Sequence, residues 1–237
     1  MPIWNPWHGC TKISPGCDNC YVYRMDAVHY KDSSKVEKTG NFNLPLKCTR
    51  SGDYKLTGSD LVYTCFTSDF FLEEADEWRR DIWEMIRFRS DLTFFIITKR
   101  IDRFHVSLPE DWGEGYENVH IACTTENQKM ADFRLPLFLE VPVKHKSIIC
   151  EPLLEAIDLS AYLKPSIECV IVGGESGIEA RECSYDWVLS IREQCRAAGI
   201  SFNFRQTGRH FRKGGKLYTL RRELHRSQAK KAGIDLP

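Results

Sequence analysis

LVYTCFTSDFFLEEADEWRRDIWEMIRFRSDLTFFIITKR, residues 61–100, decides the class of fold. It carries two short apolar runs, LVYTCF (61–66) and TFFIIT (93–98), rich in β-branched and aromatic side chains. Such runs are the mark of strands buried on both faces. Between them, EEADEWRRDIWEMIRFR (73–89) sets Ala75, Trp78, Ile82, Met85 and Ile86 on one face at helical spacing. Acidic residues open that segment and arginines close it, as the helix dipole favours. Strand, helix and strand in succession make a βαβ unit, and its two strands run parallel.

The pattern repeats outward. NVHIAC (118–123), HKSIIC (145–150), ECVIVG (168–173) and ISFNFR (200–205) read as further strands, with a short one around Ile3–Trp4. SYDWVLSIREQCRAAG (184–199) reads as a helix with Ser184 as N-cap, Val188, Ile191, Cys195 and Ala198 as its stripe, and Gly199 as its stop. A further helix follows Cys20. The class is therefore α/β, with six or seven mostly parallel strands, and the architecture expected is an incomplete TIM-like β/α barrel. One domain is expected over 1–237. Residues 31–60 are polar and spotted with Gly and Ser, and read as a long excursion. No window reaches eighteen apolar residues, and MPIWNPWHG lacks the pattern of a signal peptide. A cytoplasmic protein without membrane contact is expected.

Polar residues follow nearly every strand: Ser68-Asp69, Lys99-Arg100, Glu126, Glu151, and Gly173-Gly174-Glu175. In a β/α barrel these ends converge on the face that carries the active site. Lys99 and Arg100 suit a carboxylate or phosphate. Glu126, Glu151 and Glu175 suit hydroxyl groups or serve as ion-pair partners. Gly173 and Gly174 let backbone approach a ligand closely, or simply make a tight turn.

The ten cysteines differ among themselves. Cys65, Cys123, Cys150, Cys169 and Cys195 sit in apolar runs and read as small buried hydrophobes. Cys48 and Cys183 are undecided. Cys10, Cys17 and Cys20 form a cluster, in WNPWHGCTKISPGCDNCY (4–21). Thiolates are soft ligands, suited to zinc, copper(I) or iron–sulfur clusters. Ser14-Pro15-Gly16 is turn chemistry that folds the chain back toward Cys10. Three thiols fall one short of a closed structural zinc site.

Three cysteines after the first strand of an incomplete barrel resemble the radical S-adenosylmethionine superfamily. More narrowly, the cysteine segment together with CFTSDFF, FIITKR, CEPLL and VIVGGESG resembles a phage-associated three-cysteine family of largely unknown function, itself regarded as similar to that superfamily. The resemblance implies that Cys10, Cys17 and Cys20 each hold one iron of a 4Fe–4S cluster. It implies that S-adenosylmethionine chelates the fourth iron and is cleaved to a 5′-deoxyadenosyl radical, which takes hydrogen from a substrate. An electron-donor protein is implied as partner. Ser68 and Asp69 are the candidates for the amino group of the methionine, with Lys99, Glu126, Glu151, Gly173, Gly174 and Glu175 as further cofactor contacts. The chain departs from the superfamily in the gap of six residues between Cys10 and Cys17, and in placing its Gly-Gly-Glu after a late strand.

Formal charge is zero overall but unevenly spread. From Arg205 to Pro237 there are ten Lys or Arg against Glu223 and Asp235, which gives this segment +8. That favours an anionic partner, nucleic acid first, and hence a nucleic-acid or nucleotide substrate for modification or repair. Two other readings share the residues. One is a zinc-stabilised nucleic-acid-binding module that uses His8 or Cys48 as fourth ligand. The other is a barrel enzyme without a cluster.

Overall fold

The computed structural model describes residues 2–58 and 60–237. In chain order the strands are β1 (Ile3–Trp4), β2 (Trp7–His8), β3 (Glu37–Lys38), β4 (Leu61–Thr64), β5 (Thr93–Thr98), β6 (Val119–Thr124), β7 (His145–Cys150), β8 (Ile167–Gly173), β9 (Glu182–Ser184), β10 (Ser201–Gln206), β11 (His210–Lys213) and β12 (Lys216–Thr219). The helices are α1 (Tyr21–Val28), α2 (Asp76–Phe88), α3 (Gln128–Glu140), α4 (Tyr185–Ala198) and α5 (His225–Ala232).

Seven strands form one sheet in the order β1-β4-β5-β6-β7-β8-β10, and a smaller sheet runs β12-β11-β9. The pairs β1–β4, β4–β5, β7–β8 and β8–β10 are all parallel. The α/β class and the parallel sheet follow the expectation from residues 61–100. The sheet begins at β1 and ends at β10, so it does not close into a barrel. The LVYTCF strand is shorter than its apolar run, because Cys65 takes a φ of 61°, which ends the extended backbone. The helix expected over 73–89 opens with a 3-10 turn, Glu73–Ala75, before α2 begins.

The described chain divides into two compact units. One comprises the chain up to Thr11, Val22–Ala122 and Glu140–His145. Its core is aromatic. Trp4 packs on Phe94, Trp7 on Phe70, Phe70 on Trp83, and Trp83 on Trp112, all buried. Each such side chain contributes roughly 1.5–3 kcal/mol by leaving water. Arg79, on α2, is fully buried among them and donates to the carbonyls of Phe70 (2.9 Å) and Leu72 (2.6 Å) and to Asp76 (2.8 Å). The described residues of 31–60 form a mostly irregular excursion, with β3 paired to β2 and a 3-10 turn at Leu44–Leu46. It is tied down by buried Arg89, which donates to the carbonyls of Pro45 and Leu56.

The other unit comprises Lys12–Tyr21, Cys123–Leu139 and Lys146–Pro237. Here α4 begins where Ser184 accepts the Asp186 N–H and stops at Gly199, whose φ is 68°. Val188, Ile191 and Cys195 are buried as its stripe predicts, whereas Ala198 is exposed. Cys169, expected in the core, is only half-buried. Among the described residues no helix is long and apolar enough to cross a membrane.

Candidate metal centre

Cys17 and Cys20 lie on one tight turn. Pro15–Cys17 is a 3-10 turn, in which the Cys17 N–H bonds to the Ser14 carbonyl at 2.8 Å, and the Cys20 N–H bonds to the Cys17 carbonyl at 3.2 Å. Both thiols are half-buried, and the Ser14 hydroxyl stands 3.9 Å from the Cys17 sulfur.

Two strand-end carboxylates hold this turn. Glu126, after β6, is fully buried; one oxygen accepts the Gly16 N–H at 3.0 Å and the other pairs with buried Arg134 at 2.8 Å. Gly16 is required there, because a Cβ would stand 2.9 Å from the Glu126 carboxyl carbon. Glu175, after β8, accepts the Arg181 backbone N–H at 2.8 Å, the Arg181 guanidinium at 2.7 Å and the Asn19 amide at 3.0 Å. Arg181 then reaches the Pro15 carbonyl at 2.8 Å and Asp18 at 3.3 Å. Burial pushes the Glu175 carboxyl up, but the hydrogen bonds from Arg181 and Asn19 outweigh it and hold the group below the usual carboxylate range. The turn is thus gripped through backbone at Pro15 and Gly16 and through side chains at Asp18 and Asn19, in each case by a charged partner.

Glu151 and the glycines lie in the same unit, away from the contacts that hold the turn. Glu151 accepts from the Gln206 amide and stands 3.8 Å from Arg205. A Cβ on Gly173 would meet the Glu151 carboxyl carbon at 2.8 Å, and one on Gly174 would meet the Thr207 carbonyl oxygen at 2.2 Å. Gly174 is therefore demanded by close approach of backbone to backbone, whereas at Gly173 only side chains would have to give way.

Cys10 belongs to the first unit, and so do Ser68, Asp69, Lys99 and Arg100. Its N–H bonds to the Ser33 carbonyl at 2.8 Å, and its carbonyl accepts from the Tyr23 hydroxyl. The half-buried thiol lies 3.6 Å from the Arg100 guanidinium, which also donates to the Thr11 carbonyl (2.7 Å) and hydroxyl (2.8 Å). Ser68 donates to the Gly9 carbonyl, one residue before Cys10. Asp69 is buried and accepts the Thr98 hydroxyl at 2.8 Å, the Lys99 N–H at 2.9 Å and the Phe71 N–H at 3.0 Å, with Arg100 at 3.4 Å. Lys99 is half-buried, and no hydrogen bond or ion pair of its ammonium is found among the described residues. His8 is held 2.8 Å from Asp26, and Cys48 is exposed.

Five of the remaining thiols are poor ligands. Burial pushes Cys150, Cys183 and Cys195 up to about 12 and Cys169 to about 11; Cys65 is raised well above the ordinary thiol value by burial and then by Asp69. Among the described residues no group of three or more His, Cys, Asp or Glu is placed to hold a metal ion. Cys17 and Cys20, two half-buried thiols on one fixed turn, are soft donors of the kind an iron–sulfur cluster takes, and Cys10, in the other unit, is a third half-buried thiol with a guanidinium beside it.

Asn19, Arg134 and Arg181 position the turn, and the sequence alone did not mark them. Arg181 sits in GESGIEARE, where nothing in spacing separates it from a solvated loop arginine. No curated protein and no solved structure matches the chain. A family model described as a protein of unknown function, DUF5131, matches residues 2–236, and the chain therefore belongs to that family.

Proposed function

We propose that the protein is a radical S-adenosylmethionine enzyme acting on a nucleic acid or nucleotide, on a barrel-like scaffold left open. The reading rests above all on the fixed Pro15–Asn19 turn, whose Gly16 N–H is held by Glu126, whose Pro15 carbonyl is held by Arg181 and whose Asn19 side chain is held by Glu175, while the thiols of Cys17 and Cys20 stay half-buried. Cys10, Cys17 and Cys20 would hold a 4Fe–4S cluster. With S-adenosylmethionine bound, that group supplies one-electron chemistry that ends in hydrogen abstraction from the substrate. The chain's own residues orient and shield. Arg100 puts positive charge beside Cys10, and Glu126 and Arg134 fix Gly16 from a buried position. Lys99 offers an unpaired cation for a carboxylate or phosphate. The relation to the radical S-adenosylmethionine superfamily, the phage association and an electron-donor protein belong to this reading, as does a cytoplasmic setting.

The test is anaerobic purification and cluster reconstitution, followed by assay of iron, sulfide and zinc and by reduction with S-adenosylmethionine present. The expected result is about four irons per chain and release of 5′-deoxyadenosine. A colourless protein that takes up zinc and no iron, or a reconstituted one that leaves S-adenosylmethionine intact, overturns the proposal.

A further inference from the structure

The basic C-terminal segment begins with strands and ends in α5. Its first part is a hairpin, β11–β12, closed by Gly214-Gly215. Both glycines have positive φ, 57° and 76°, as a two-residue hairpin turn of mirror-image type requires. The root is anchored. β11 pairs with β9 from His210 to Arg212, and buried Phe211 packs on Phe204 and Tyr185. The tip runs past the sheet: pairing with β9 stops at Arg212, and all four residues of β12 are exposed.

The charge at this tip is anomalous. Between Arg209 and Arg222 there are six Lys or Arg and no Asp or Glu. Arg212 is paired with Glu182 and Arg221 with Glu223. Lys213 and Lys216 face each other across the hairpin, and no carboxylate lies in ion-pair range of either among the described residues. Like charges directly opposite on one face destabilise a ribbon. Lys213 lies over the Tyr185 ring at 4.4 Å and Lys216 over the Tyr218 ring at 5.0 Å, so the rings carry cations and are not open for stacking bases. A two-stranded ribbon fits the major groove of B-form DNA, about 12 Å wide, whereas the A-form groove of RNA is too narrow.

We propose that the hairpin tip, Lys213 to Lys216, is a docking element for duplex DNA, with the two lysines on phosphates. This rests on the nucleic-acid part of the function proposed above and needs neither iron nor S-adenosylmethionine. Glu182, which holds Arg212 of the hairpin, follows Arg181, which grips the cysteine turn. One short strand thus links the DNA element to the candidate centre.

Binding of a fluorescent 20-base-pair DNA duplex to the full chain is measured by anisotropy between 50 and 200 mM salt, with single-stranded DNA and duplex RNA as further probes. The Lys213→Glu/Lys216→Glu protein should bind the duplex at least tenfold more weakly, with the slope of log K against log salt reduced by about two. Lys216→Glu alone replaces the like-charge pair with an opposite pair. It should weaken binding while its thermal midpoint stays at or above wild type, which separates lost contact from lost folding. Absence of duplex binding, binding unchanged by the double reversal, or preference for single strands or RNA overturns the assignment. Failure of cluster assembly leaves each of these results readable.

Discussion

The carboxylate of Glu126 accepts the backbone N–H of Gly16 at 3.0 Å from a fully buried position, across 110 residues of sequence. The same group neutralises buried Arg134. Glu126→Ala removes the acceptor that Gly16 and Arg134 share and takes away the carboxylate that neutralises the guanidinium. A loss of about 3–5 kcal/mol is expected, read as the shift of the urea unfolding midpoint. Glu126→Gln keeps an acceptor for Gly16 and should cost less. Equal costs for the two would show that the turn does not depend on the acceptor.

Gly174→Ala should be among the most damaging small substitutions. The added methyl would meet the Thr207 carbonyl oxygen at 2.2 Å and the Cys183 Cβ at 3.0 Å. Backbone on one side and a buried side chain on the other leave little room to yield, so a cost of about 1–3 kcal/mol or more is expected. Gly40→Ala, where nothing lies within 4 Å, is the control and should be close to neutral in the same thermal melt.

Acid stability should depend on Glu175. Its native carboxyl is held below the ordinary value, so the folded state binds this proton less readily than the unfolded chain does. The stabilisation is fully present above the unfolded value of about 4.3 and is lost as pH falls through the lowered native one. Unfolding midpoints measured from pH 6 down to 3 should therefore fall more steeply in wild type than in Glu175→Gln. Parallel profiles would remove the carboxylate from the account.

Thiol labelling should sort the cysteines. In native, iron-free protein, alkylation should reach half-buried Cys10, Cys17 and Cys20 and exposed Cys48 well before buried Cys65, Cys150, Cys183 and Cys195. After reconstitution with iron, the first three should be protected and Cys48 should still react. Mass spectrometry of the labelled peptides reads both outcomes, and unprotected Cys17 in iron-loaded protein would break the ligand assignment.

The parallel strands were legible because each is a short apolar run: HKSIIC and TFFIIT match β7 and β5 residue for residue. The elements missed lacked such a signature. α3 carries Pro136 in its interior, which breaks the helical pattern, and β9, β11 and β12 are three or four mostly polar residues defined by tertiary pairing. At the candidate centre, the cysteines and the strand-end acids could be named from residue type and position. What joins Glu126 to Gly16 and Glu175 to Asn19 is packing between segments more than a hundred residues apart, and no local pattern encodes that.

The two grips on the cysteine turn also set an order in time. Gly16 and Asn19 leave the ribosome early, whereas Glu126 follows 110 residues after Gly16 and Glu175 follows 156 after Asn19. At roughly 5–20 residues per second, the turn waits on the order of ten seconds or more for its first partner and longer for its second. Throughout that interval Cys17 and Cys20 sit on unheld nascent chain. Their geometry becomes fixed only when translation is well advanced, so the cluster proposed there would be assembled on a nearly finished polypeptide.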